Sequence, residues 1–455
     1  MSDNKSKYEI DMCNGPLIPK ILVFSLPLIA SGILQLLFNA ADMIVAGRYA
    51  GSVALAAIGS TSSLINLLIN LFVGLSVGAN VAIAHFYGAK RYEELSDALH
   101  TAIVLSLLGG VFLAIVGFVL ARPLLSLMGT PIEVIDHSVA YMKIYFLGMP
   151  ATLLYNFGSS ILRAVGDTRR PLIFLSLAGV VNIILNLIFV IVFNMGVSGV
   201  ALATIISQII SAGLVFICLM KNEGPCKLVI NKLKLHKKQA IRIIRIGLPA
   251  GLQGAIFSVS NVLIQSSVNS FGATAVAGNT ASCNVEGFVY NSMNAIYQTA
   301  ISFVSQNIGA KKFDRIKRTG LICMAYVFLI GAIMGGLGLL FSANILSIYS
   351  TEEAVIWYGV NRMKVIFMTY FLCGMMDVCV GIIRGMGFSV MPMIVSLLGA
   401  CAFRIVWIFT IFRHFHSLKS LYVSYPISWV LTMVVHLICL YFVAWKKVVG
   451  KSSNK

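Results

Sequence analysis

Four charged residues read as lying inside membrane helices: Asp42, Glu286, Asp377 and Arg404. A charge at the centre of a bilayer costs at least ~2.5 kcal/mol on insertion scales, so each marks a candidate for function. Asp42 closes a stripe with Gln35 and Asn39, spaced i, i+4 and i+7 on one helical face. Asn182 and Asn186 form a second i, i+4 pair, and Asn156 and Thr204 add oxygens in the same half. A carboxylate among neutral oxygens suits a desolvated Na+, whereas a lone, partly buried carboxylate can carry a proton. Asp42 is therefore a candidate Na+ ligand or proton carrier. The Asn and Thr side chains could equally be interhelical glue, at ~0.6 kcal/mol per bond.

The second half carries different chemistry. Glu286, Tyr290, Asn294 and Tyr297 make an i, i+4, i+8, i+11 stripe, and Tyr370 shares a helical face with Asp377. Gln253, Asn261 and Gln265 lie on a neighbouring apolar stretch. Carboxylates beside aromatic rings suit a bulky organic cation, through Coulomb attraction and cation–π contact. Arg404 reads either as the partner of Asp377 or Glu286 in a buried ion pair or as a direct substrate contact. His436 stands alone and reads as a packing histidine.

The elements that must hold these groups are membrane helices. Apolar residues make up 58% of the 455, charged residues 11%. Apolar runs of about 20 residues, enough to cross roughly 30 Å of hydrocarbon, recur throughout. The pattern predicts an all-α polytopic membrane protein with twelve spans: 20–46, 54–84, 98–122, 138–162, 171–194, 198–220, 243–268, 274–306, 319–342, 359–383, 392–412 and 421–445. The stretch before Pro16 is polar and lacks a signal-peptide pattern, which predicts that the first helix is retained. Nine scattered cysteines without metal-ligand spacing read as small apolar residues.

The net charge of +18 does not point to nucleic acid, because it sits in loops. Sorted by alternate loops, 26 of the 34 Lys and Arg fall on the side of both termini and 8 on the other. That bias predicts cytoplasmic termini in a plasma (inner) membrane. The most basic segment, Lys221–Arg245, separates two matching halves. Laid over each other in a single register, His85-Phe-Tyr-Gly-Ala-Lys falls on Gln306-Asn-Ile-Gly-Ala-Lys, and Arg163, Gly166 and Pro171 fall on Arg384, Gly387 and Pro392. Asn156 falls on Asp377, so the copies have diverged in charge. The chain divides into a six-helix lobe at 1–220, a basic cytoplasmic linker at 221–241 and a second six-helix lobe at 242–455. Six spans per half make these pseudo-symmetric parallel repeats. Prolines at 27, 150, 249 and 426 are candidate kinks, and Pro27 and Pro249 occupy equivalent places.

These features resemble the multidrug and toxic compound extrusion (MATE) family over nearly the whole chain. The resemblance rests on Leu26-Pro27, Ala41-Asp42-Met-Ile-Val-Ala-Gly47-Arg48 and the Gly88-Ala-Lys and Gly309-Ala-Lys loops. It rests further on Leu162-Arg-Ala-Val-Gly-Asp-Thr168 before Pro171, with its degenerate partner Ile383-Arg-Gly-Met-Gly387 before Pro392. It implies an antiporter that exports organic, often cationic, compounds against Na+ or H+. Asp42 is similar to the family's coupling aspartate, Asn156, Asn182 and Thr204 to its polar partners, and Glu286 to an acid of some branches. Asn186 stands where many members have Asp, which removes a proton-sharing acid pair and inclines the reading toward Na+. Phe257 and Cys373 stand where some branches have acids.

A lipid-linked oligosaccharide flippase of the same superfamily would be expected to have fourteen spans. A receptor or scaffold would leave the asymmetric buried acids unexplained. No Ser/His/Asp set, metal-spaced His cluster or phosphate loop marks an enzyme. The expected partners are small organic cations and the lipid bilayer, without nucleic acid. The protein is expected to be a monomer and to need no cofactor beyond the coupling ion.

Overall fold

The computed structural model describes residues 8–445, and the termini expected in the cytoplasm extend into residues outside that range. Helices α1 (Leu17–Val45), α2 (Ser52–Gly88) and α3 (Tyr92–Leu127) are followed by α4 (Ile132–Leu147) and α5 (Met149–Val165), which break at Gly148. Then come α6 (Arg169–Leu187), α7 (Gly196–Lys221), α8 (Lys237–Asn269), α9 (Ala273–Gly309), α10 (Phe313–Leu340) and short α11 (Ser342–Ser347). Helices α12 (Glu353–Phe367) and α13 (Tyr370–Gly385) form one bent pair. Helices α14 (Val390–Ser396) and α15 (Phe403–Trp407) are joined by a π-helical stretch, and α16 (Leu418–Cys439) ends the order. Taken with their breaks, these are twelve consecutive helical segments at the positions of the twelve expected spans. Among the described residues, nine are long and apolar enough to cross a membrane by themselves, and the bent pair makes ten. Helix α9 misses that test because it is rich in Asn, Ser and Thr; of its polar stripe, Glu286 and Tyr297 are buried, while Tyr290 is exposed.

Helix α3 shows why such helices need lipid. Ser106, Gly110, Leu113, Gly117 and Ala121 are buried at three- and four-residue spacing, while Leu108, Val111, Phe112, Ile115 and Val119 are exposed. A continuous apolar outer face is a liability in water and the required surface in a bilayer. The inner face is made of small residues so that backbones can approach. A methyl at Gly110 would meet the Pro150 Cα at 2.4 Å, and one at Gly117 the Phe146 ring at 2.0 Å. Pro150 itself opens α5 just after the Gly148 break, where its missing N–H costs no helical bond. Pro27, Pro249 and Pro426 are inside α1, α8 and α16.

The described residues form two compact units, one within Met1–Asp11 and Ile33–Gly251, the other within Met12–Gly32 and Leu252–Lys455. Their boundaries differ from the sequence halves. Of the three changes of unit, the one after Asp11 precedes α1, and the other two fall within helices, after Gly32 in α1 and after Gly251 in α8, a few residues past Pro27 and Pro249. In the first unit, the Ile10 amide donates to the Gly166 carbonyl at 3.2 Å, beside the α5–α6 turn. Gly166 has φ +105°, and any Cβ there would strike the Ile10 carbonyl oxygen at 2.4 Å. Asp167 then accepts the Arg169 and Arg170 amides at 3.1 Å each and pairs with the Arg170 guanidinium. The Leu162–Thr168 motif is thus a turn and helix-start device. The basic linker is also ordered on this unit. Val229 donates to His100 Nε2 and His236 to Thr101 Oγ1, both at 3.1 Å, and burial pushes the Cys226 thiol well above its ordinary pKa.

In the second unit, Cys13 and Asn14 accept from Lys312, and Arg315 donates to the Gly15 and Met12 carbonyls. The internal duplication is visible in backbone detail. Lys90 and Lys311, at equivalent places in the two halves, both adopt left-handed φ of 56° and 58°, and Gly387 repeats the positive φ of Gly166.

Candidate functional site

The first unit gathers its polar groups around Asp42. Asn186 Nδ2 donates to Asp42 Oδ1 at 2.5 Å and lies 3.3 Å from Asn182 Oδ1. Thr204 is a second neutral hydrogen-bonding neighbour of the carboxylate. Tyr141 and Tyr145, stacked at 5.9 Å, stand within its electrostatic reach. Helix periodicity explains the gathering: Asn182 and Asn186 are one turn apart on α6, and both are buried. Both helices then widen. Helix α1 passes into a π-helical turn at Ala46–Ala50 and α6 into one at Ile188–Val192. Such turns concentrate at functional sites because they re-aim side chains.

The donor set fits a small cation. It offers the carboxylate, the Thr204 hydroxyl and the Asn182 and Asn186 carbonyl oxygens, and Asn186 Oδ1 is buried without a donor. A hard monovalent ion or a proton on the carboxyl would each satisfy oxygens held this way. Two expected members stand apart. Asn39 is exposed, and Asn156 turns its amide back to the Thr152 carbonyl at 2.8 Å.

In the second unit the expected polar residues separate into three clusters. Glu286 is in a buried fork with Arg362, Nε to Oε1 at 2.7 Å and Nη2 to Oε2 at 2.9 Å. Arg362 Nη1 also donates to Asn279 Oδ1 at 2.8 Å, which accepts from Tyr422 at 3.3 Å. Glu286, one of two acids weighed as a partner of Arg404, is instead paired with Arg362. That arginine is near the start of the tenth expected span, where a loop charge was the natural reading. Glu286 itself, whose bare charge needed a buried partner, was the sequence signal for it.

The second cluster joins Arg384, on α13, to Tyr297 at 2.5 Å and Gln253 at 2.7 Å. Asp377 lies within electrostatic reach of Arg384 and of Tyr290. In the third, Arg404 donates from Nε to Ser428 Oγ at 2.9 Å, with its guanidinium 4.2 Å from the Tyr425 ring centre and 5.8 Å from that of Trp429. Tyr370 packs against Trp429 at 5.6 Å, whereas Asn261 is exposed. His436 donates to or accepts from Ser396 at 3.0 Å, a packing contact.

Buried charges among helices of which nine, or ten with the bent pair, are long and apolar enough to cross a membrane, on a chain that repeats itself, mark a multi-pass membrane protein. The chain belongs to the MatE family, whose model matches it twice, at residues 27–188 and 249–410. The second match begins and ends at the same displacement from the first, which confirms the duplication. The chain is 29% identical over 434 residues, 93% of each chain, to a probable multidrug resistance protein, YoeA, of Bacillus subtilis. It is 24% identical over 352 residues to an FAD transporter of Shewanella oneidensis, covering 76% of this chain and 77% of that one. A structure described as the outward-facing conformation of a multidrug resistance MATE family transporter superposes with a TM-score of 0.90 at 21% identity, covering 98% and 99% of the two chains.

Proposed function

We propose that this protein is a cation-coupled antiporter that exports organic compounds by alternating access, from a plasma membrane in which both termini are cytoplasmic. Asp42 and its amide and hydroxyl neighbours carry the coupling ion, Na+ or H+. The single observation that carries this reading is the clasp of Asn186 on Asp42, beside a buried Asn186 oxygen that no donor satisfies. A charged or neutral carboxyl held in such a cage changes its affinity for the rest of the cycle when the ion arrives, which is what coupling requires.

The second unit carries the substrate, on Tyr290, Asn294, Tyr297, Tyr370, Asp377, Arg404 and Gln253. Glu286, saturated by Arg362, supports the shape of this region rather than a cationic group. The attraction expected for a cation rests on Asp377 beside Tyr290. The names of the relatives widen the substrate range: one is a probable multidrug resistance protein and another an FAD transporter, and FAD itself is an aromatic anion.

The test is transport by the purified chain in proteoliposomes loaded with ethidium, rhodamine 123 or FAD, under imposed Na+ or pH gradients of either sign. Movement of at least one compound against its own gradient, driven by one of the two ions, is the expected outcome. If every compound stays put under both gradients, the antiport reading fails.

A further inference from the structure

Arg404 is 4% exposed, yet among the described residues no carboxylate lies within salt-bridge distance of it. Its Nε is spent on Ser428, and neither Nη has an acceptor among the described residues. A buried guanidinium loses several kcal/mol of hydration, which a hydroxyl and two ring faces return only in part. The neighbouring charges do not restore balance. Tyr425 is flanked by two guanidiniums, Arg404 at 4.2 Å and Arg362 at 5.6 Å. Among the described residues one carboxylate, Glu286, serves them, and both its oxygens are engaged by Arg362. The region around Tyr425 therefore carries one positive charge in excess. Beside it runs a bank of rings: Tyr425 against Trp429 at 5.8 Å, Trp429 against Tyr370 at 5.6 Å, and Tyr370 parallel to Phe367 at 6.1 Å.

We infer that Arg404 with Tyr425, Trp429 and Tyr370 forms a subsite for an aromatic anion, a planar ring system bearing a carboxylate or phosphate. The acid group meets the Nη groups of Arg404, which have no acceptor among the described residues, and a planar fork there can take two oxygens at once. The rings meet the attached aromatic system. This deepens the export reading and rests on it for the cargo's fate, but the binding step stands without transport. Two π-helical stretches, Leu397–Ala402 and Ile408–Phe412, bracket Arg404 and set its direction off the ordinary helical register.

Two dyes with one xanthene core and opposite charge separate charge from shape: fluorescein, an anion, and rhodamine 123, a cation. Fluorescence anisotropy on the full-length protein in detergent gives both affinities for wild type, Arg404→Gln, Arg404→Lys and Tyr425→Leu, each first checked for monodisperse elution. Arg404→Gln is expected to weaken fluorescein at least tenfold and leave rhodamine 123 within twofold. Arg404→Lys should keep part of the fluorescein affinity, and Tyr425→Leu should weaken fluorescein while the charge remains. Unchanged fluorescein affinity in a well-folded Arg404→Gln protein would overturn the subsite, as would equal loss of both dyes, which marks a packing role. Should Arg404→Gln not fold, Tyr425→Leu and the wild-type affinities decide; failure of wild type to bind fluorescein refutes the proposal. Binding without gradient-driven movement in proteoliposomes would refute the export reading and leave the subsite standing.

Discussion

At the scale of single residues, the chain keeps charges inside a bilayer by giving each a different kind of partner. Asp42 receives an amide, Glu286 a two-pronged guanidinium, Arg384 a phenol and an amide oxygen, and Arg404 a hydroxyl and two ring faces. The Glu286–Arg362 pair has a measurable signature. Breaking a buried pair on one side strands the other charge, at a cost of roughly 3–5 kcal/mol, while replacing both partners with apolar residues is often nearly neutral. Glu286→Met and Arg362→Met should each lower the melting temperature of the purified protein, and the double variant should recover most of the loss. Additive losses in the double variant would show that the two side chains act separately. The acids and Arg404 were legible in the sequence because charges are rare in apolar runs. Arg362, Tyr425 and Ser428 were not, because position within a span does not say which helix faces which.

At the scale of helices, glycine sets how closely backbones pack. Within the first unit, Gly74 and Gly78 of α2 face Gly247 and Gly251 of α8. A Cβ on Gly74 would lie 2.1 Å from the Gly251 nitrogen, and one on Gly78 would lie 2.2 Å from the Ile243 carbonyl oxygen. Both glycine pairs are spaced i, i+4, so a single face of each helix makes the whole crossing. Since the obstacle is backbone, it cannot rotate aside as a side chain can. Gly74→Leu is expected to destabilise the protein by at least the ~1–3 kcal/mol usual for overpacking, whereas Gly213→Leu, with nothing near its Cβ, is expected to be mild. Thermal melts in detergent compare them, and equal melting temperatures would contradict the close crossing. The twelve segments themselves could be read from hydropathy. The breaks at Gly148 and between α12 and α13 could not, since a bent pair and a straight span have the same composition.

At the scale of the whole molecule, the duplicated sequence holds two units that have taken different polar furniture. The repeat was legible in the matching loops and arginines, and the two family matches repeat it. The unit boundaries were not, because α1 and α8 each change unit past a proline while their hydropathy runs on without a mark. Nor did the linker's charge reveal that it would pack onto α3 through His100 and Thr101. The central claim is that ion and substrate are handled in different units, the ion at Asp42. Asp42→Asn keeps the size of the side chain and one acceptor oxygen, exchanges the other oxygen for an NH2 donor, and removes the charge. Purified wild type and Asp42→Asn, reconstituted side by side, are compared for dye binding and for dye movement under imposed Na+ and pH gradients. The account predicts substrate affinity within about twofold of wild type and no response to either gradient. A variant that still drives dye movement with the wild-type ion dependence would place coupling elsewhere and contradict it.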